Sequence, residues 1–282
     1  MRKRTKAILI VLASATLIAA AAGARYTSPR LPPGTNTIEI TAREYGYAGP
    51  DTIPAGLTEL RLVNAGSELH HMQLVRLDEG RTATQLVAAI AAGGPPPEWA
   101  DLAGGPNAIA PGSSASSVQD LRPGHYAILC FIPTSDGVHH FAKGMHRDLW
   151  VTGTPAPVSE PRADVEIKLV DYAFALSTPL APGRQTFKVH NAGPQPHEVE
   201  LLRLLPGKTL GDWDLWVRSG MKGPPPAALI GGIVGLAPGR HAYFTARIEP
   251  GKHLLICYVP DALDGKSHKA HGMVREIEVS GV

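Results

Sequence analysis

The sequence predicts an all-β protein built as two tandem Greek-key β-sandwiches, each with a short inserted helix. Three observations carry this reading. Short β-rich segments are bounded by Gly and Pro, which number 30 and 26 among 282 residues. The chain repeats itself at an offset of 127 residues. Each repeat offers many strand-like segments and one helix-like stretch, the composition of a sandwich rather than of an α/β fold.

From the N-terminus, a basic end (Arg2, Lys3, Arg4, Lys6) leads into an apolar run and then Ala22-Gly23-Ala24, a small-residue cleavage pattern. Residues 1–24 therefore read as a signal peptide, with an uncleaved membrane anchor as the alternative. Either way the chain is expected outside the cytoplasm, periplasmic or secreted. Losing those four basic residues turns the formal charge from +2 to −2, which argues against nucleic acid as a partner.

The first repeat is expected over residues 35–153 and the second over 163–282, joined by a Pro-rich linker at 154–162 (TPAPVSEPR). IEITAREYGY (38–47) lies over VEIKLVDYAF (165–174), and VNAGSELHHMQLVRL (63–77) over HNAGPQPHEVELLRL (190–204). RPGHYAILC meets EPGKHLLIC, and one added residue before Asp264-Gly265 shifts the offset to 128. IEITAREYGY, TELRLVNAG, HHMQLVRL, SSVQDL and GHYAILCFI read as strands; TATQLVAAIAAG (82–93) and GDWDLWVRSG (211–220) read as the inserted helices. A GPPP segment follows each helix and reads as a stiff turn.

Four chemically unusual positions recur. They are His70 with His197, Cys130 with Cys257, His140 with His268, and Met145 with Met273; each second His precedes its Met with four residues between. Strand alternation puts His70, Met72 and Leu74 on one face and His71 and Gln73 on the other. His197, Val199 and Leu201 match the first set, so His70 is preferred over His71, which is expected to face outward with Gln73, Glu198 and Glu200. The His-x4-Met spacing prefers His140 over His139. His139, His146 and His271 are expected near the site or in solvent, and His125, His190, His241 and His253 lack repeated partners. Tyr45 with Tyr172, and Tyr47 with Phe174, recur as core packing.

Three uses of these residues stay open. Two cysteines in an exported chain suit a disulfide, though these occupy equivalent positions of separate repeats. They also suit small buried core residues. Two imidazoles, a thiolate and a thioether together suit copper, because soft sulfur favours Cu(I) and imidazole serves both oxidation states.

At these residues the chain resembles the cupredoxins, the blue copper group of plastocyanin and azurin. NAGSELH and NAGPQPH resemble that family's first-histidine segment, and HHFAKGM and HKAHGM its ligand-loop end. The resemblance implies a type 1 copper centre from His70, Cys130, His140 and Met145, and a second from His197, Cys257, His268 and Met273, hence up to two coppers per chain. One departure is plain: nine residues separate Cys130 from His140 and ten separate Cys257 from His268, a longer interval than the family's usual one.

The function expected is single-electron transfer between redox proteins of the cell envelope, with no nucleic acid and no membrane contact beyond an uncleaved N-terminal segment. Copper storage or delivery, and a metal-free binding module, are the alternatives. An enzyme is not expected: laccases use His-x-His pairs, this chain has none, and neither Cys has an adjacent His.

Overall fold

The computed structural model describes residues 31–92 and 97–281, so the signal peptide expected at 1–24 and most of the first GPPP segment lie outside the described residues. The first half runs β1 (Asn36–Arg43), β2 (Gly46–Ala48), β3 (Thr52–Pro54), β4 (Gly56–Asn64), β5 (Gln73–Leu77), α1 (Ala83–Ala91), β6 (Ala100–Leu102), β7 (Ser114–Leu121), β8 (Gly124–Leu129), a 3₁₀ turn (His140–Lys143) and β9 (His146–Thr152). The second half follows with β10 (Val165–Val170), β11 (Ala173–Leu176), β12 (Gly183–Asn191), β13 (His197–Leu204), α2 (Leu210–Arg218), β14 (Ala227–Leu236), β15 (His241–Ile248), β16 (Gly251–Ile256), a 3₁₀ turn (His268–His271) and β17 (Val274–Val279).

Each half forms two sheet layers around an apolar core, the all-β sandwich the sequence predicts. In the first, Ile40, Leu60, Leu62, Met72, Leu74, Ile128 and Leu149 fill the space between layers; in the second, Ile167, Leu169, Phe187, Val189, Val199 and Leu201 do. IEITAREYGY is not one strand: β1 and β2 pair antiparallel around a tight turn at Glu44 and Tyr45. Both helices begin with a capping box, Thr82 with Gln85 and Thr209 with Asp212, which satisfies N-terminal amides that the helix itself cannot. α1 covers Val75, Leu77, Ala127 and Leu129, and α2 covers Leu202, Leu204, Leu254 and Ile256.

Both layers continue across the boundary between the halves. An eight-stranded sheet runs β11-β10-β12-β15-β7-β4-β1-β2, with β15 and β7 meeting at Tyr243 and Val118. In the other layer, residues 102–107 hydrogen bond to β14, with Gly104 N–H donating to Gly235 O at 3.0 Å and Val234 N–H to Gly105 O at 3.1 Å. The approach is so close that a Cβ on Gly104 would sit 2.9 Å from Leu236 Cδ2, and one on Gly232 3.1 Å from Asn107 Cβ.

The outward face of β5 and β13 is corrected by this packing. His71, Gln73, Glu198 and Glu200 are all buried, because the other half covers them. Gln73 Nε2 donates to Gly235 O at 2.9 Å, a contact across 162 residues. Alternation distinguishes two faces but does not say what covers the second. The linker is likewise docked: Val158 packs on Leu57, Val118 and Tyr243, and Glu160 binds Lys188, His241 and the Tyr243 hydroxyl.

Candidate metal centres

The recurring Asn-Ala-Gly segment shapes a loop that delivers the first histidine. Asn64 Oδ1 accepts from Gly66 N–H at 2.9 Å, while its Nδ2 donates to Glu68 O at 2.7 Å and Ile109 O at 3.0 Å. Asn191 repeats this with Gly193 N–H at 3.0 Å, Gln195 O at 2.8 Å and Leu236 O at 2.7 Å. Both carboxamides are buried, so these loops are held from inside.

The long interval after each cysteine is closed by a side excursion. Pro133 bridges back to His139, and Pro260 to Ser267, so the second histidine returns beside its cysteine. His140 N–H donates to Ile132 O, Phe141 N–H to Cys130 O, Met145 N–H to His140 O, and Cys130 N–H to Met145 O, at 2.9–3.2 Å. His268, Lys269, Met273 and Cys257 make the same four bonds at 2.8–3.2 Å. Gly144 and Gly272, at φ of 110° and 96°, end the 3₁₀ turns where a side chain would strain the backbone.

Among the described residues, the donor atoms of His70, Cys130 and His140 lie within 4.8 Å of one another, as do those of His197, Cys257 and His268. All six side chains are buried. Cys130 Sγ is 3.5 Å from His140 Nδ1, and Cys257 Sγ is 3.4 Å from His268 Nδ1. His70 Nδ1 is buried with no hydrogen-bond partner, and His197 Nδ1 faces His268 Nδ1 at 2.9 Å. Met145 and Met273 are fully buried in the same cores, their backbones bonded to both the cysteine and the second histidine. Both cysteines are free, so the disulfide alternative falls away.

The neighbouring histidines do other work. His71 Nε2 accepts from Phe131 N–H at 2.7 Å; His139 Nδ1 contacts Phe131 O at 2.5 Å and its ring stacks on Phe141. His146 Nδ1 contacts Phe141 O at 2.9 Å. A further group of Asp261, Asp264 and His271 also lies within 4.8 Å. There His271 meets Asp264 at 3.1 Å, where the first half has Lys143 on Asp136 at 3.0 Å, so this pair staples the loop.

Sequence reasoning missed the carboxylates behind the imidazoles. His70 Nε2 is 3.2 Å from Glu44, His140 Nε2 is 2.9 Å from Glu68, His197 Nε2 is 2.5 Å from Asp171, and His268 Nε2 is 3.8 Å from Asp261. Glu44 and Asp171 hydrogen-bond Nε2 of His70 and His197, leaving Nδ1 toward the cysteine, whereas Nε2 of His140 and His268 has no hydrogen-bond partner. A signal existed for two of them, since Glu44 and Asp171 precede the recurring tyrosines at the same offset.

Burial sets the charge state. It pushes the Cys130 thiol up to about 12 and the Cys257 thiol higher still. Burial, then the neighbouring His70, lowers His140 to about 4; burial, then His197, does the same for His268. Burial opposes ionisation of Glu44, yet the amides of Glu68, Glu44 and Ser67 and the His70 ring hold it at about 2. Each centre thus holds two neutral imidazoles and a protonated thiol, with anionic charge behind the rings. Two nitrogens and one thiol sulfur form a soft donor set that fits copper.

No family model matches the chain, and no curated protein matches it. Among solved structures, a reduced auracyanin from Roseiflexus castenholzii is similar at 25% identity, over 42% of this chain and 98% of that one, with a TM-score of 0.29. A multicopper oxidase is 16% identical over 91% of this chain and 93% of that one, with a TM-score of 0.26. A copper-containing nitrite reductase from Thermus scotoductus is 12% identical over 87% of this chain and 61% of that one, with a TM-score of 0.23. The expectation of a non-enzyme is corrected here: the neighbours spanning most of the chain are a multicopper oxidase and a nitrite reductase. The architecture is that of two β-sandwiches, each with one buried His–Cys–His cluster.

Proposed function

We propose that the chain binds copper at two centres, His70–Cys130–His140 with Met145 and His197–Cys257–His268 with Met273, and transfers single electrons. The segments 35–153 and 163–282 would carry one centre each. The observation that carries this reading is the convergence, twice, of buried imidazole Nδ1 atoms on a buried cysteine Sγ. Copper held there supplies a one-electron couple between Cu(I) and Cu(II).

The chain's own residues prepare that couple. Glu44 and Asp171 fix the orientation of the first imidazoles, the Asn64 and Asn191 loops fix ring position, and complete burial keeps bulk water from the sulfur. A donor set held this firmly changes little between oxidation states, which favours electron exchange. The partners proposed are redox proteins of the cell envelope, in keeping with the N-terminal segment. No helix among the described residues is long and apolar enough to cross a membrane.

The test is a Cu(II) titration of the chain, following visible absorption and bound copper. An intense thiolate-to-copper band saturating near two coppers supports the reading. Copper binding without such a band points to storage or delivery, and no stoichiometric binding overturns copper altogether.

A further inference from the structure

Three of the polar side chains buried where the halves meet take positions that apolar residues would fill more cheaply. They are His71, Asn107 and Glu198, 8%, 4% and 8% exposed. Further along the same outward faces, the positions under the helices are apolar: Val75, Leu77, Leu202 and Leu204. His71 and Glu198 hold the same place in the repeat, each directly after a first histidine.

Each of them grips the residue after a cysteine. Phe131 N–H, one peptide bond beyond Cys130, donates to His71 Nε2 at 2.7 Å; Tyr258 N–H, one beyond Cys257, donates to Glu198 Oε1 at 2.8 Å. Met72 N–H, next to His71, donates to Pro106 O at 3.1 Å, and Pro106 precedes Asn107. Asn107 is itself fixed across the boundary, with Nδ2 donating to Val199 O at 3.1 Å and its N–H to Gly232 O at 3.3 Å. A continuous route results: Cys130, Phe131 N–H, His71, Met72 N–H, Pro106, Asn107, Val199 O, Glu198, Tyr258 N–H, Cys257.

We propose that this buried bridge couples the two centres electronically, so that an electron captured at one passes to the other within the same chain. The proposal rests on the copper reading above. Electron tunnelling decays less steeply along covalent and hydrogen bonds than across van der Waals gaps, and a dry, low-dielectric path keeps its hydrogen bonds strong. The step is balanced: the reduced centre loses one electron, the oxidised centre gains it, and no bond or proton changes hands. The first electron comes from an external one-electron donor.

The experiment begins with Cys130→Ser and Cys257→Ser chains, which give the spectrum of each centre alone. Failure of both to take up copper overturns the copper reading, and with it the premise of the bridge. Given loading, the intact two-copper chain receives less than one electron per chain from a radiolytically generated reductant. The expected result is a first-order redistribution between the centres, independent of protein concentration. Asn107→Leu should slow it severalfold while both absorption bands and the copper content stay unchanged. In the metal-free chain His71→Phe should speed amide hydrogen exchange at Phe131, whose acceptor it removes. Redistribution that is absent or second order in protein, a rate unaltered in Asn107→Leu, or Phe131 exchange unaltered in His71→Phe, overturns the bridge. Should Asn107→Leu fail to fold, His71→Phe removes the acceptor of Phe131 N–H and reads the same rate.

Discussion

His70 and His197 each use one ring in two ways: Nε2 faces a carboxylate and Nδ1 faces a cysteine-containing pocket. The cysteines there keep their protons, because burial lifts Cys130 to about 12 and Cys257 beyond it. The second histidines, lowered to about 4, are already neutral at pH 7. Metal uptake between pH 6 and 8 should therefore release about one proton per centre, from the thiol alone. Calorimetric titration in buffers of different ionisation enthalpy measures this, and a value near zero would mean that the thiols are already ionised. A second expectation concerns Glu200, whose Oε1 is buried without a partner. Burial, then the charge of Glu198, raises its pKa well above 4.5. The folded state then binds the proton more tightly than the unfolded one, so this group costs stability as pH rises above 4.5. Glu200→Gln should raise the unfolding temperature more at pH 8 than at pH 5, and an equal shift at both would show an effect other than ionisation. The chemistry of His, Cys and Met was legible because these residues recur in register. Glu68 and Asp261 were not, because the positions matching them hold Gln195 and Thr134.

The helices show what element-scale reading captures. Thr82 and Thr209 precede α1 and α2, with Gln85 and Asp212 three residues on, as reciprocal caps. Thr209→Ala should cost about 1 kcal/mol, roughly 2–4 °C in unfolding temperature for a chain of this size. Denaturant unfolding checks it, and since α2 lies outside both His–Cys–His clusters, copper content should be unchanged. Strand boundaries were less legible. HHMQLVRL alternates from His70, yet β5 begins only at Gln73, because His70 pairs with Ile109 as a single bridge. The burial of Glu198 and Glu200 was hidden for a related reason: in HEVELLRL the glutamates look like a solvent face, and only a partner half 90 residues away explains them.

At the scale of the whole molecule, the repeat suggests two sandwiches tied by a Pro-rich linker, whereas the structure joins them through both layers. Comparing one half with the other reveals shared cores but not the mutual surface, since a contact such as Tyr243 on Val118 pairs residues that are not equivalents in the repeat. Leu57, Val118 and Tyr243 form a common apolar cluster with Val158 of the linker. Hydrogen bonds from residues 102–107 to β14 close the other layer. Splitting the molecule at the linker would expose these side chains and leave the carbonyls of Gly232 and Gly235 without the partners they have here. The metal-free chain should accordingly unfold in one cooperative transition, with calorimetric and van't Hoff enthalpies in agreement. A chain of residues 31–153 alone should melt at a lower temperature or self-associate through the uncovered β7 edge. Two resolved transitions in the full chain, with the isolated segment as stable as its counterpart there, would mean that the crossing contacts hold the halves together without coupling their folding.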